Sequence, residues 1–296
     1  MKYVITGGAG NTAKPIAEKL AAAGHDVTVI SRNPGHTSSL AALGIKTAAG
    51  SLEDLSFLSN IFTGADAVYT MVPPNFAAAP WKEWIASIGK NYALAIRAAG
   101  VKKVVNLSSI GAHMPEHCGP VSGLHYVETA LNGLSETDVV PLRPGFFYLN
   151  LLGNINMIKH MNIIGANYGL ERKIFLVHPE DIANAAVDAL LDLTFTGKTI
   201  RYVVSDERTP ADIAAVLGTA IGKPALPWVD FTDEQLIGGM TEAGLPEEVA
   251  KNYTEMGAAM RTGEMGSEYE KHKPSATGII KLEDFAKDFA VAYNAD

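Results

Sequence analysis

Residues Thr6–Ala13, TGGAGNTA, join an apolar run, Tyr3-Val4-Ile5, to a segment with helical spacing, and they limit what the chain can become. Glycines let the backbone turn and come close to a ligand where a side chain would block it. A helix that starts just behind such a turn aims unpaired N–H groups at the loop. Strand, glycine loop and helix in that order form the cradle for a pyrophosphate, with Gly7 and Gly10 at the first two fingerprint positions. The third position holds Ala13, where only a small side chain is needed for helix–strand packing. A purely structural turn is the alternative, and the surrounding alternation of elements favours a bound dinucleotide.

That alternation runs through the first half. The pattern predicts strands at Tyr3–Thr6, Val27–Ser31, from Gly44 to Thr47, Ala67–Val72, Val104–Leu107 and Val139–Leu142. Helices are predicted between them at Thr12–Ala23, Leu52–Phe62 and Trp81–Ala99. Short β-branched runs that are apolar on both faces imply a parallel sheet covered on both sides. Right-handed connections then give an α/β, doubly wound Rossmann sheet. After Pro144 the pattern breaks, and it resumes with Ile174–Val177, a helix over Asp181–Leu193 and a strand over Thr199–Val204. The expected division is a cofactor-binding domain over 1–150 and a mostly helical substrate-side lobe over 151–296, with 174–204 returning to the core.

Bulk properties exclude several classes. A formal charge of −8, with no basic run, argues against a nucleic-acid surface. No apolar stretch reaches the length of a spanning helix. The single cysteine, Cys118, cannot form an internal disulfide. A soluble cytoplasmic protein acting on a small molecule is expected.

The end of the second strand selects the cofactor. A carboxylate there would bind the ribose 2′-OH of NAD; the sequence has Ser31-Arg32-Asn33 and no acid. Arg32 offers a planar, permanently charged fork for a 2′-phosphate, so NADP(H) is expected over NAD(H). A solvated surface arginine is the alternative.

The segments VITGGAGNTAKPIAEKL, VISRNP, AAGVKKVVNLSSIGAH, LRPGFFYLN and VHPEDIANAA resemble the NmrA-like proteins, an atypical branch of the short-chain dehydrogenase/reductases. The resemblance implies a Rossmann domain with NADP(H) in a cleft beside a small lobe. It implies cofactor contacts from Gly7, Gly10, Asn11, Thr12, Ala13 and Arg32. It adds Met71-Val72-Pro73 at the fourth-strand exit, Ser108 at the fifth and the Pro144-Gly145 turn. Two departures stand out: Gly50-Ser51 replaces the family's Gly-Asp near the adenine, and Pro73-Pro74 remove backbone donors.

Typical short-chain reductases pair Tyr-x-x-x-Lys with a serine, the tyrosine acting as proton donor. Ser108 or Ser109 can supply the serine. The pair is missing: counted back from LRPG, His125 stands at the tyrosine position and Thr129 at the lysine position. Helical spacing puts Leu124, Val127, Leu131 and Leu134 on a buried stripe and His125 with Thr129 on the flank beside it. His125 is therefore expected as proton donor or substrate-binding group, with Tyr126 one residue away as a second candidate. A histidine that is exposed or packs on the cofactor fits the sequence equally. His113, His117 and Cys118 have some character of a zinc set, but Pro115 interrupts them and no metal is expected. Phe146 and Phe147, after the Pro-Gly turn, are expected to stack on a planar substrate, with core packing as the alternative.

A quinone, azo compound, imine or enone itself stabilises incoming electrons, so its reduction tolerates a site without the Tyr–Lys pair. The expected function is an NADPH-dependent oxidoreductase of such a small planar or conjugated substrate. The rival is a non-enzymatic NADP(H)-sensing regulator, which the missing lysine favours.

Overall fold

The computed structural model describes residues 1–274 and 278–295. Its first half alternates as β1 (Lys2–Thr6), α1 (Ala13–Ala22), β2 (Asp26–Ser31), α2 (Ser38–Ala41), β3 (Lys46–Ala49) and α3 (Leu55–Phe62). It continues as β4 (Ala67–Thr70), α4 (Trp81–Ala99), β5 (Lys103–Leu107), α5 (Pro120–Asn132) and β6 (Asp138–Pro144). Beyond Pro144 come β7 (Phe146–Phe147), a 3₁₀ turn (Tyr148–Asn154), α6 (Ile155–Met161), β8 (Ile164–Ala166), β9 (Ile174–Val177), α7 (Pro179–Asp192) and β10 (Arg201–Val203). The chain ends through β11 (Asp206–Arg208), α8 (Pro210–Ala220), β12 (Trp228–Asp230), α9 (Asp233–Glu242), α10 (Glu247–Thr262), α11 (Ser267–Lys271) and α12 (Leu282–Asn294).

Seven strands form one sheet in the order β10-β6-β5-β4-β1-β2-β3, with every neighbouring pair parallel. Side chains leave a strand on alternate faces. Here Tyr3, Ile5, Val29, Tyr69, Val105 and Val140 pack against α1 and α7. Their neighbours Val4, Ile30, Val68, Val104 and Val139 pack against α3, α4 and α5. Both faces are covered, which is why these strands read as continuous apolar runs. The α/β doubly wound Rossmann sheet expected from the pattern is the architecture found.

Element ends moved for local reasons. The third helix starts at Leu55, not Leu52, because the Asp54 side chain accepts the Phe57 N–H as an N-cap. The fourth strand stops at Thr70, since the Met71 N–H donates to Thr6 Oγ1 (2.8 Å) instead of to a ladder carbonyl. The helix predicted from Asp181 starts at Pro179, with the His178 ring accepting the Glu180 N–H. Leu193 lies just beyond that helix, in the left-handed region (φ 49°). The helix starts expected at Thr209 and Thr232 are capping boxes closed by Asp212 and Gln235.

The break after Pro144 is where the chain leaves the main sheet. β7 pairs parallel with β9, and β9 pairs antiparallel with β11. A second short pair, β8 with β12, supports the lobe. Of the stretch 174–204, α7 and β10 join the central layers, whereas β9 joins the small sheet. The lobe has its own apolar cluster, in which Leu282, Phe285 and Phe289 of α12 pack with Ile213 and Leu217 of α8. Tyr293 packs against the same cluster. Among the described residues, no helix is long and apolar enough to cross a membrane.

Candidate cofactor cleft and substrate side

The glycine loop closes over the carboxyl end of β1. Gly7 and Gly8 have φ of 107° and 60°, values that favour glycine. A Cβ on Gly7 would lie 3.0 Å from the Met71 side chain and 3.1 Å from the methyl of Ala13. Ala13 therefore occupies the space behind the loop, where it is buried in the α1-side core. Gly8 N–H donates to Ile30 C=O (2.9 Å) and Gly10 N–H to Gly7 C=O (3.2 Å), which fixes the curve of the loop. Thr12, the N-cap residue, is buried, and its hydroxyl receives the Tyr69 O–H at 3.4 Å. Among the described residues, the N–H groups of Asn11, Thr12 and Ala13 donate to nothing in the chain. They point out of a helix N-terminus, the arrangement that binds phosphate.

Beside the loop lies a cleft of about 760 Å³, bounded by Gly7–Gly10 on one side and Ser31–Asn33 on the other. Ile30, Gly50, Leu52 and Pro73 complete its lining. Arg32 is the one charged side chain in that lining. The turn that carries Arg32 is stiff: Ser31 Oγ accepts the Asn33 N–H and donates to the Asn33 carbonyl, while Gly50 N–H donates to Ser31 C=O. Gly50 lies under the Phe57 ring, so the Gly-Ser variant still shapes this wall. A crevice at the carboxyl ends of the strands, with free amides, glycine clearance and one cation, fits a dinucleotide.

The remaining predicted contacts lie along the same sheet edge. Met71 is held on both sides: its N–H donates to Thr6, and its carbonyl accepts the Tyr92 O–H at 2.6 Å. Val72 and Pro73 follow half-buried, and Pro73 lines the cleft. Pro144 is buried, and its carbonyl accepts the Ile110 N–H (2.9 Å). Gly145 donates its N–H to Val203, and its α-carbon lies against the Phe175 carbonyl, so close approach of β9 is what demands glycine there.

Ser108, at the end of β5, belongs to a buried network that the sequence reading missed. Its hydroxyl donates to Glu128 Oε1 at 2.5 Å. Arg143 Nε and Nη2 donate to the two oxygens of Glu128 at 3.0 and 2.7 Å, and Arg143 Nη1 reaches the Tyr202 hydroxyl at 3.4 Å. The side chains of the pair are only 7% and 6% exposed. A carboxylate on the buried flank of α5 and an arginine inside the apolar strand Asp138–Pro144 were the available signal, because such charges are buried only when paired. The Ser108 proton is committed to Glu128, so this buried hydroxyl is not free to donate elsewhere.

His125 is half-buried on α5, and its Nδ1–H donates to the Ala112 carbonyl (2.9 Å). It is thus joined to the loop after β5, with Nε2 left for other partners. Thr129, at the position of the missing lysine, caps back onto the His125 carbonyl. Tyr126 is 44% exposed and packs edge-on against the His125 ring. Phe147 packs on the core cluster that also receives Ala9 and Met71. Phe146 is edge-on to Tyr168 at 5.7 Å and walls a cavity of about 320 Å³ with Phe175, Met260 and Met265. His113 lies 3.2 Å from Ser267 Oγ, His117 is exposed, and burial pushes the Cys118 thiol up to about 12. Among the described residues, no three His, Cys, Asp or Glu side chains group as a metal site.

Residues 7–192 match the NAD(P)H-binding family. The chain belongs to that family. Over 296 residues it is 27% identical to the NAD(P)H azoreductase of Xenophilus azovorans, covering 99% of each chain. Its fold resembles that of an NADPH-dependent quinone oxidoreductase from Escherichia coli, solved with NADPH (TM-score 0.79, 20% identity, 97% of this chain and 99% of that one). It also resembles NmrA, a negative transcriptional regulator solved with NADP (TM-score 0.75, 14% identity, 97% and 94% covered). Family membership makes NAD(P)H the cofactor of this fold.

The buried pair yields a stability prediction. Glu128→Leu alone or Arg143→Met alone should destabilise the fold by about 3–5 kcal/mol, because each leaves an uncompensated buried charge. The double substitution should lose much less than the sum, as read by urea unfolding of all four proteins. Strictly additive losses would show that the two side chains do not act as a unit.

Proposed function

We propose that the protein is an NADPH-dependent reductase of small planar or conjugated acceptors of the quinone or azo type. The observation that carries this reading is the combination of a complete dinucleotide cleft with a sheet edge that lacks the Tyr–Lys pair. The cofactor supplies the hydride. The chain's part is to hold the pyrophosphate on the Asn11–Ala13 amides, receive the 2′-phosphate on Arg32, and keep the Met71–Pro73 and Ser108 walls fixed. His125, with Nδ1 held by Ala112, would exchange a proton through Nε2. An acceptor that delocalises the two electrons of the hydride can take the one proton that completes its reduction from such a histidine or from water. The azoreductase relative supports this reading, since it is similar along nearly its full length. We also place the protein in the cytoplasm, a compartment suited to its lone buried thiol. The second reading, an NADP(H)-sensing regulator, is kept alive by one observation, the absent lysine.

Three outcomes check this. Purified protein mixed with NADPH and a panel of naphthoquinones and azo dyes should oxidise NADPH; tight NADPH binding with no oxidation by any acceptor would favour the sensor. Arg32→Ala should weaken NADPH binding by about 10–100-fold, the worth of one or two charged hydrogen bonds. NADH binding should hardly change, and equal losses for both cofactors in a titration would remove Arg32 from the 2′-phosphate. His125→Ala should lower kcat while leaving the NADPH dissociation constant unchanged; full turnover in the variant would reduce His125 to a loop tether.

A further inference from the structure

Two tyrosines of the lobe have hydroxyls that, among the described residues, make no hydrogen bond. Tyr168 follows β8, and Tyr253 lies on α10. They flank one fixed contact, because Asn167 Nδ2 donates to the Thr254 carbonyl at 2.8 Å and also to Asp233. Tyr168 packs edge-on to Phe146 and tilts against Trp228, with ring centroids 5.7 and 6.1 Å apart. Tyr253 packs edge-on to Trp81 and Phe76, at 5.5 and 6.2 Å. Three of these partners hang from the carboxyl edge of the main sheet. Phe146 comes directly after the Pro144-Gly145 turn of β6. Phe76 belongs to the connection that leaves β4 through Met71–Pro73, and Trp81 opens α4 at the end of it. α10 is tied to the same connection, since the Trp81 N–H donates to Glu248 Oε1 (2.6 Å) and Lys82 pairs with Glu255 (2.6 Å).

Unpaired polar atoms gather along this seam. Trp81 Nε1, Trp228 Nε1, Asn167 Oδ1, Asn252 Oδ1 and Thr254 Oγ1 are buried without a partner. Buried polar groups are normally satisfied, so this seam carries hydrogen-bonding capacity that the described residues do not use. Tyr168 and Tyr253 are each half-buried, and their hydroxyls are not among these sealed atoms. A phenol packed among aromatic rings, with its O–H free, is suited to a flat ligand that carries a hydrogen-bond acceptor.

We propose that Tyr168 and Tyr253 donate the hydrogen bonds that seat the acceptor atom, a quinone oxygen or azo nitrogen, of a planar aromatic substrate between the lobe and the sheet edge. This rests on the reductase reading and names the groups that would orient its substrate. Burial pushes both phenols up, the Tyr168 group also through its closeness to Tyr253. Each therefore stays protonated through the ordinary pH range and acts by donating a hydrogen bond, without giving up its proton. A donor placed there stabilises the negative charge that a hydride leaves on the acceptor atom.

The test uses Tyr168→Phe, Tyr253→Phe and the double variant, which remove oxygens and keep rings. Binding of 1,4-naphthoquinone and of naphthalene to the NADP⁺-loaded protein is read by quenching of tryptophan fluorescence, for which Trp81 and Trp228 stand next to the two phenols. Each single variant should bind naphthoquinone about 2–12-fold more weakly, one neutral hydrogen bond's worth. The double variant should lose more, and naphthalene and NADPH binding should be unchanged. Wild-type affinity for naphthoquinone in the double variant, or an equal loss for naphthalene, overturns the proposal. If the wild-type protein reduces naphthoquinone, such a result removes only the phenols' role. If it neither binds nor reduces any acceptor, the reductase reading falls with it.

Discussion

The carboxyl edge of the sheet is held together by one buried ion pair. Glu128 comes from α5 and Arg143 from β6, and through them the network takes in Ser108 of β5 and Tyr202 of β10. Three neighbouring strands and the helix that covers them are thereby locked at the level where the cofactor cleft ends. Charges this deep are tolerated only with their hydrogen bonds complete, and here the carboxylate takes two bonds from the guanidinium and one from the serine. A shift of any one element would leave a charge exposed to an apolar interior. The pair therefore sets the relative height of the strand exits from which the site's loops depart.

That constraint shapes the chemistry available. Ser108, the serine the sequence offered as a candidate, has its proton turned inward to Glu128. Met71 is clamped between Thr6 and Tyr92, and the amide of Gly145 is taken by Val203. The edge thus presents a rigid wall with few mobile protons. Among the described residues, open donors lie at the two extremes: the amides of Asn11–Ala13 at the glycine loop and the phenols of Tyr168 and Tyr253 in the lobe. A wall of this kind suits a cofactor that carries the electrons and a substrate able to absorb them, which is the reading we favour over alcohol–ketone exchange.

The lobe is built to meet that wall. β7 begins one residue after the main sheet ends, so Phe146 is carried directly from the sheet edge into the small sheet. α10 is attached to the start of α4 through Glu248 and Glu255 and to the β8 exit through Asn167. The connection after β4, the turn after β6 and α10 consequently share one seam. Its aromatic rings come from segments that are far apart in the chain.

Local rules determined much of this protein from sequence alone. A strand, a glycine loop and a helix with small Ala13 behind it specify the tight turn at the end of β1, because φ sign and side-chain size are properties of a few consecutive residues. Short runs apolar on both faces, set between helices, determined the doubly wound sheet, and an arginine at the end of the second strand is readable at Arg32. The element ends that moved, at Leu55, Thr70 and Pro179, did so through side-chain caps and a side-chain-to-backbone bond just outside the apolar pattern. Tertiary structure alone decided the rest. Pairing of Glu128 with Arg143, fifteen residues away across a helix–strand turn, depends on the depth at which α5 sits on the sheet. The meeting of Tyr168 with Tyr253 depends on how the lobe folds back. Periodicity reports which face of an element is buried; only packing decides which buried faces, and which unpaired polar atoms on them, come together.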